Sequence, residues 1–205
     1  MTADADRSAA LAAEAVETCL GAIAELTAAG RASPAETAAL AACLGHARKI
    51  VQRRAAEAFA ALAACGADVA PLLRSGLAGP DLRGRWGAAY ALALVGPPPP
   101  EAVPVLLEAL GADDGDLRWA AARILVGLGP APLVPRLCAL ARTGNAPARK
   151  MALYCLRDLV ACEPAAEAAA VAALRDPDGH VRLAAQAALP RVAVDREAAA
   201  RHLLD

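Results

Sequence analysis

Side chains able to do covalent or metal chemistry are few in this chain. The candidates are six cysteines (Cys19, Cys43, Cys65, Cys138, Cys155 and Cys162) and three histidines (His46, His180 and His202). No Cys-x-x-Cys pair occurs, and no histidine lies in a His-Glu-x-x-His motif or beside a glutamate. The spacings that place zinc or iron ligands on one helix face are therefore missing. Cys155 and Cys162 fall two turns apart on one predicted helix, too far to bridge. Cys138 and Cys155 align with apolar positions, where a thiol packs as a small hydrophobe. There is no glycine-rich phosphate loop and no Gly-x-Ser-x-Gly elbow. The expectation is a protein without a metal, a cofactor or a catalytic residue.

The remaining chemistry is recognition. The 205 residues are 58% hydrophobic but only 2% aromatic, so alanine, leucine and valine supply the apolar surface. That content is too high for a disordered chain. Net charge is -1, which gives no global attraction to nucleic acid or to a membrane. No run of about 18 uncharged apolar residues could span a bilayer. The start, Met1-Thr2-Ala3-Asp4-Ala5-Asp6, lacks the basic flank and apolar stretch of a secretory signal, so a cytoplasmic location with reduced thiols is expected. Against this background the two tryptophans and two tyrosines (Trp86, Trp119, Tyr90 and Tyr154) stand out.

What must position them is a repeat. Arg85-Trp86-Gly87-Ala88-Ala89-Tyr90 matches Arg118-Trp119-Ala120-Ala121-Ala122-Arg123 at an offset of 33, and Gly96-Pro97 matches Gly129-Pro130 at the same offset. Further copies are anchored at Gln52, Arg149 and Arg182. Leucine or alanine recurs eight and twelve residues before every anchor, from Leu40 and Leu44 to Ala170 and Leu174. After each anchor the positions +3, +4, +7 and +10 are small or apolar, as in Ala121, Ala122, Leu125 and Leu128. That is one helical stripe. A shorter apolar helix precedes each anchor helix, for example Glu101 to Leu110. Each unit is thus a pair of antiparallel helices, and since one pair cannot bury its own stripe, the pairs must stack. The fold class expected is all-α, a right-handed α-solenoid of stacked helix pairs. It would form a single domain over 1–205, with a degenerate N-terminal cap at 7–47, repeats at 48–195 and a final cap helix at 196–205. A long helix is predicted from Arg7 to Ala29. Ser33-Pro34-Ala35-Glu36 reads as a capping box opening the next helix.

The segments Glu101–Leu110, Asp116–Leu125 and Asp178–Ala185 resemble HEAT repeats, specifically the short bacterial HEAT-like type, and the resemblance covers residues 34 to 205. Gln52 departs from the pattern at an arginine position, and Arg83-Gly84 adds to the second unit. The resemblance implies that the arginine-bearing helices line a concave surface. On those helices +1, +5 and +9 lie opposite the core. Both tryptophans and both tyrosines occupy this stripe, at +1 (Trp86, Trp119) and +5 (Tyr90, Tyr154). Arg53, Arg123, Lys150 and Arg157 border it. Exposed aromatics beside cations are the residue types of interface hot spots. The reading is a non-enzymatic scaffold or adaptor that binds a protein or peptide, acidic in character, through Arg53, Trp86, Tyr90, Trp119, Arg123, Lys150, Tyr154 and Arg157.

The alternative is binding of nucleic acid on the same face, as in the HEAT-like alkylpurine DNA glycosylases. Here no acid stands one turn beyond either tryptophan, and nothing marks a pigment site of the kind that HEAT-like bilin lyases would need. The iron hydroxylases of this type use repeated His-Glu pairs, which this chain lacks. Asp81, Asp116 and Asp178, just before Arg85, Arg118 and Arg182, are expected to form Asp–Arg contacts that cap helices and fix register. The oligomeric state is open.

Overall fold

The computed structural model describes residues 2–13, 15–131 and 133–204. Among them every regular element is helical: α1 (Thr2–Leu11), α2 (Val16–Ala29), α3 (Pro34–Cys43), α4 (Lys49–Ala64), α5 (Ala70–Gly76), α6 (Leu82–Val95), α7 (Val103–Ala109), α8 (Gly115–Gly127), α9 (Val134–Thr143), α10 (Ala146–Asp158), α11 (Pro164–Ala173), α12 (Gly179–Val192) and α13 (Arg196–Leu204). A 3-10 turn, Pro100–Ala102, leads into α7. The chain divides into two compact units, Met1–Val105 and Leu106–Asp205.

Each unit is two-layered. In the first, α1 packs on α3 and α3 on α5, while α2 packs on α4 and α4 on α6. In the second, α8, α10 and α12 form one layer, α9 and α11 the other, and α13 closes on α12. The apolar phase predicts the buried faces well. Leu40, Leu44, Leu73, Leu77, Leu106, Leu110, Leu137, Ala141 and Ala170 are buried, as are Ala55, Ala56, Phe59, Ala121, Ala122, Leu125, Ala152, Leu153 and Leu156. Small side chains bring backbones together. Gly87 of α6 lies so close to the end of α3 that a Cβ there would stand 2.2 Å from the Leu44 carbonyl oxygen.

The N-terminal region corrects one expectation. The helix predicted from Arg7 to Ala29 is two helices, α1 and α2, which form a further hairpin. Alanine and glutamate between them carry no breaker signal. The chain turns because α1 buries itself against α3 instead of continuing into solvent. That docking includes an ion pair. Arg7 Nε donates to Glu36 Oε1 at 2.5 Å, and Glu36 is almost wholly buried. Glu36 also completes the predicted capping box with Ser33. Burial alone would raise its carboxyl, but the Ser33 amide and the Arg7 guanidinium more than offset that and hold it below the usual carboxylate range.

The turns ahead of the anchor helices repeat one device. Asp81, Asp114 and Asp178 cap α6, α8 and α12, and Asn145 caps α10. Each lies four residues before its anchor arginine. The capping residue of α8 is thus Asp114, not the expected Asp116, because only a side chain at the N-cap can turn back onto the first free amides. The arginines close the same turns from the other side. Nη1 donates to two successive carbonyls: Gly79 and Pro80 for Arg85, Ala112 and Asp113 for Arg118, Asp176 and Pro177 for Arg182. Arg149 reaches Gly144 in the same way.

At the far ends of these helices the Gly-Pro signals work as stops. Gly129 adopts φ 84, whereas Gly96 at φ 176 is extended backbone. The equivalent residue after α10 is Val160, eleven beyond Arg149, and it too is left-handed, at φ 50. A β-branched residue pays about 1–2 kcal/mol there. Val160 is 46% exposed, so no burial compensates. Val160→Gly should therefore raise stability by about 0.5–1 kcal/mol, the relief less glycine's entropy. Gly87→Ala should lower it by about 2–3 kcal/mol, since a methyl has nowhere to go. Urea midpoints of the two variants check both signs.

Candidate functional site

In the second unit α8 and α10 are fixed to each other by the turns just described. Asn145 Nδ2 donates to the Gly111 carbonyl at 2.9 Å while its Oδ1 caps Ala148, so one side chain ties the start of α10 to the turn preceding α8. A Cβ at Gly111 would come within 2.9 Å of Asn145 Oδ1, so a larger residue there would push this capping side chain aside. Arg149 then forks onto Asp176, with Nε and Nη2 each 2.7 Å from a carboxylate oxygen, which ties α10 to the turn before α12. Arg149's hydrogen bonds hold the Asp176 carboxyl below its ordinary value.

This frame brings Trp119 of α8 onto Tyr154 of α10. Their ring centroids are 5.5 Å apart and the planes differ by 17°. Arg157 lies over the Tyr154 ring, its guanidinium carbon 4.7 Å from the centroid. Arg157 Nε also donates to Asp158 Oδ1 at 2.7 Å, and that hydrogen bond raises its already high pKa. The indole is 48% exposed, yet it is held by a partner on another helix. Stacking of this kind adds about 0.5–1.5 kcal/mol beyond burial. Arg123 projects into solvent one turn beyond Trp119, and Lys150 is half-buried one turn before Tyr154. Leu183 occupies on α12 the place that Trp119 has on α8 and Lys150 on α10, and it is 59% exposed. The repeat already placed Leu183 in that row. Its value as an apolar contact was hidden because an isolated exposed leucine carries no signal.

The first unit does not hold the exposed aromatic pair that the stripe predicts. Trp86 is only 7% exposed. Its ring stacks on Tyr90, one turn on in the same helix, at 5.6 Å and 27°. Tyr90, four residues on, leans back toward the N-terminus of α6 and so brings its ring onto the indole. Tyr90 is half-buried and Arg53 exposed on α4. The structure therefore brings Trp119, Tyr154 and Arg157 together with Arg123 and Lys150 on neighbouring turns. Trp86 and Tyr90 form a separate pair within the first unit.

The thiols and histidines form no metal centre: among the described residues no group of three or more His, Cys, Asp or Glu could hold an ion. Cys138 and Cys155 are buried as expected, and burial pushes the Cys155 thiol up to about 12. Cys162 is exposed and lies in the loop after α10, not on the same helix as Cys155, because α10 ends at Asp158. Among the described residues no helix is long and apolar enough to cross a membrane.

Comparison with known proteins follows the geometry. The family model described as HEAT repeats matches three times, at residues 36–126, 70–157 and 103–190. No curated protein matches the chain. Solved structures similar to it include an engineered protein (22% identity, 94% of this chain and 97% of that one, TM-score 0.44). A designed armadillo repeat protein in complex with peptide (KR)4 is also similar (15%, 91% and 98%, TM-score 0.48). Human deoxyhypusine hydroxylase in complex with glycerol is a third (17%, 93% and 96%, TM-score 0.45).

The two indoles should differ sharply in solution. In the single-tryptophan variants Trp86→Phe and Trp119→Phe, acrylamide should quench the remaining Trp119 several-fold more strongly than the remaining Trp86. Trp119 should also emit at longer wavelength. Equal quenching would contradict the burial described above.

Proposed function

Because the chain belongs to the HEAT repeat family, we propose that it is a non-catalytic scaffold, and that the Trp119–Tyr154–Arg157 face of its second unit docks an acidic peptide segment of a protein partner. The observation that carries this reading is the half-exposed indole of Trp119, fixed in place by Tyr154. An aromatic immobilised before binding loses little entropy on binding and so makes an effective anchor. Leu183 extends the apolar surface along the same row.

Charge supports an acidic segment. The named face carries Arg123, Lys150 and Arg157 against two carboxylates, Asp158, which Arg157 already engages, and Asp116, one turn before Trp119. Cations around an apolar anchor select carboxylates and speed encounter. The HEAT repeat fold commonly mediates protein interactions, and nothing in the arrangement calls for chemistry on the partner. With Trp86 stacked on its own helix, the molecule lacks a second free indole of the kind that stacks on successive bases. That favours peptide over nucleic acid.

Selection of a displayed random peptide library on the intact chain tests the reading. Enriched sequences should pair Asp or Glu with a bulky apolar residue. Trp119→Ala should weaken their binding by roughly thirtyfold, as expected of a hot spot. Lys150→Glu should weaken it too, more so at low salt, while Arg53→Ala, in the other unit, should leave it unchanged. Enrichment of neutral or basic peptides, or binding indifferent to Trp119→Ala, would overturn the assignment. So would a salt-sensitive shift of duplex DNA that depends on Trp119.

A further inference from the structure

The first unit contains a pair of thiols that the binding face does not use. Cys19 of α2 and Cys43 at the end of α3 bring their sulfur atoms to 3.7 Å. Both are buried, at 0% and 3% exposure. Both can donate to one acceptor, the carbonyl of Leu11 that ends α1, at 3.5 Å from Cys19 and 3.4 Å from Cys43, each with a single proton to divide among the acceptors within reach. Cys43 also reaches the Ala39 carbonyl at 3.4 Å. The two residues belong to different helices and come together only because α1, α2 and α3 pack as described.

We propose that Cys19 and Cys43 are a redox modification site: a dithiol that hydrogen peroxide converts to an intramolecular disulfide, stapling α2 to α3 and loosening α1. The sulfurs need to close by only about 1.7 Å to reach bonding distance. The exchange balances. A thiolate sulfur attacks one peroxide oxygen, the O–O bond breaks, and a sulfenic acid and hydroxide form. The second sulfur then attacks the first, the S–S bond forms and the S–O bond breaks. The departing hydroxide takes up the second thiol's proton. The two sulfurs together give up two electrons, and one peroxide becomes two waters.

The same contacts make the reaction conditional. While α1 is seated, neither sulfur meets solvent. Burial and the neighbouring Cys19 push the Cys43 thiol well above its ordinary value, which disfavours the thiolate. Peroxide must therefore wait for α1 to lift, which means breaking the Arg7–Glu36 pair. Once formed, the disulfide has no S–H to offer. The Leu11 carbonyl then loses its thiol donors, and α1 is held less firmly than before. The thiols thus act as a latch that oxidation releases. This inference concerns the first unit and is independent of the proposed peptide face.

Peptide mapping of the full native chain tests it without any cysteine substitution. After brief treatment with hydrogen peroxide, blocking of remaining thiols and tryptic digestion, residues 8–31 should be found linked to 32–48, and reductant should separate them. Hydrogen exchange over residues 2–11 should rise on oxidation and return on reduction. Arg7→Ala should speed formation of the link roughly tenfold, by removing a charged hydrogen bond that holds α1. Recovery of Cys19 or Cys43 as sulfinic acid without the linked peptide would overturn the site, as would linkage between two molecules or to another cysteine. An unchanged rate in Arg7→Ala, or unchanged exchange at 2–11, would overturn the latch.

Discussion

The architecture rests on how the turns before the arginine-anchored helices α6, α8, α10 and α12 satisfy their backbone. A turn between two helices exposes carbonyls left over from one and amides waiting in the next. Here an Asp or Asn four residues before the anchor accepts from the amides, and the anchor arginine donates to the carbonyls. Both ends of the turn are closed by residues a fixed distance apart in sequence. A turn closed in this way is held at both ends, so within each unit the helices it joins can bring their alanine stripes together. Arg149 shows the same device extended between repeats. It holds Gly144 in its own turn and Asp176 in the next, which converts local closure into register.

This explains why the fold was largely legible in the sequence. The closing residues must recur in phase, and the apolar positions recur with them, so the period near 33 residues and the buried leucines could be read directly. The α13 helix and the Ser33–Glu36 capping box follow equally local rules. What escaped was decided by packing at a distance. Ala12 to Ala15 look like helix interior, yet the chain breaks there so that α1 can dock through Arg7 on a glutamate 29 residues away. Asp116 and Asp114 carry the same side chain, and geometry alone decides which one caps. Cys19 and Cys43 sit 24 residues apart with no motif to link them.

The aromatic residues show the limit most clearly. Trp86 and Trp119 follow their arginines identically, and the repeat assigns them the same position. One is 7% exposed and the other 48%. The difference tracks where a second ring is found. Tyr90 stands at i+4 on the same helix and stacks on Trp86. Trp119 has Arg123 at that place and finds Tyr154 on the next helix instead. Periodicity names the row a side chain belongs to, but not which ring it stacks on or how deeply it is buried.

A division of labour follows within the chain. Residues that repeat are consumed by the structure: the arginines by turn carbonyls, the aspartates by helix amides, the alanines by close packing. A group so engaged has little left to offer a partner. Recognition and regulation must then fall to positions where a unit departs from its siblings. The departures observed are of that kind. Trp119 faces Tyr154 across two helices, Leu183 is an exposed leucine where the preceding helices carry Trp119 and Lys150, and Val160 holds a glycine's conformation at a cost. Glu36, buried, and the partly exposed Arg7 make an ion pair confined to the first hairpins, and two thiols compete for one carbonyl beneath α1. A substitution that restores glycine at Val160 is expected to favour stability, whereas one that breaks the Asp–Arg closure strikes at the turns that set α6, α8, α10 and α12 in place.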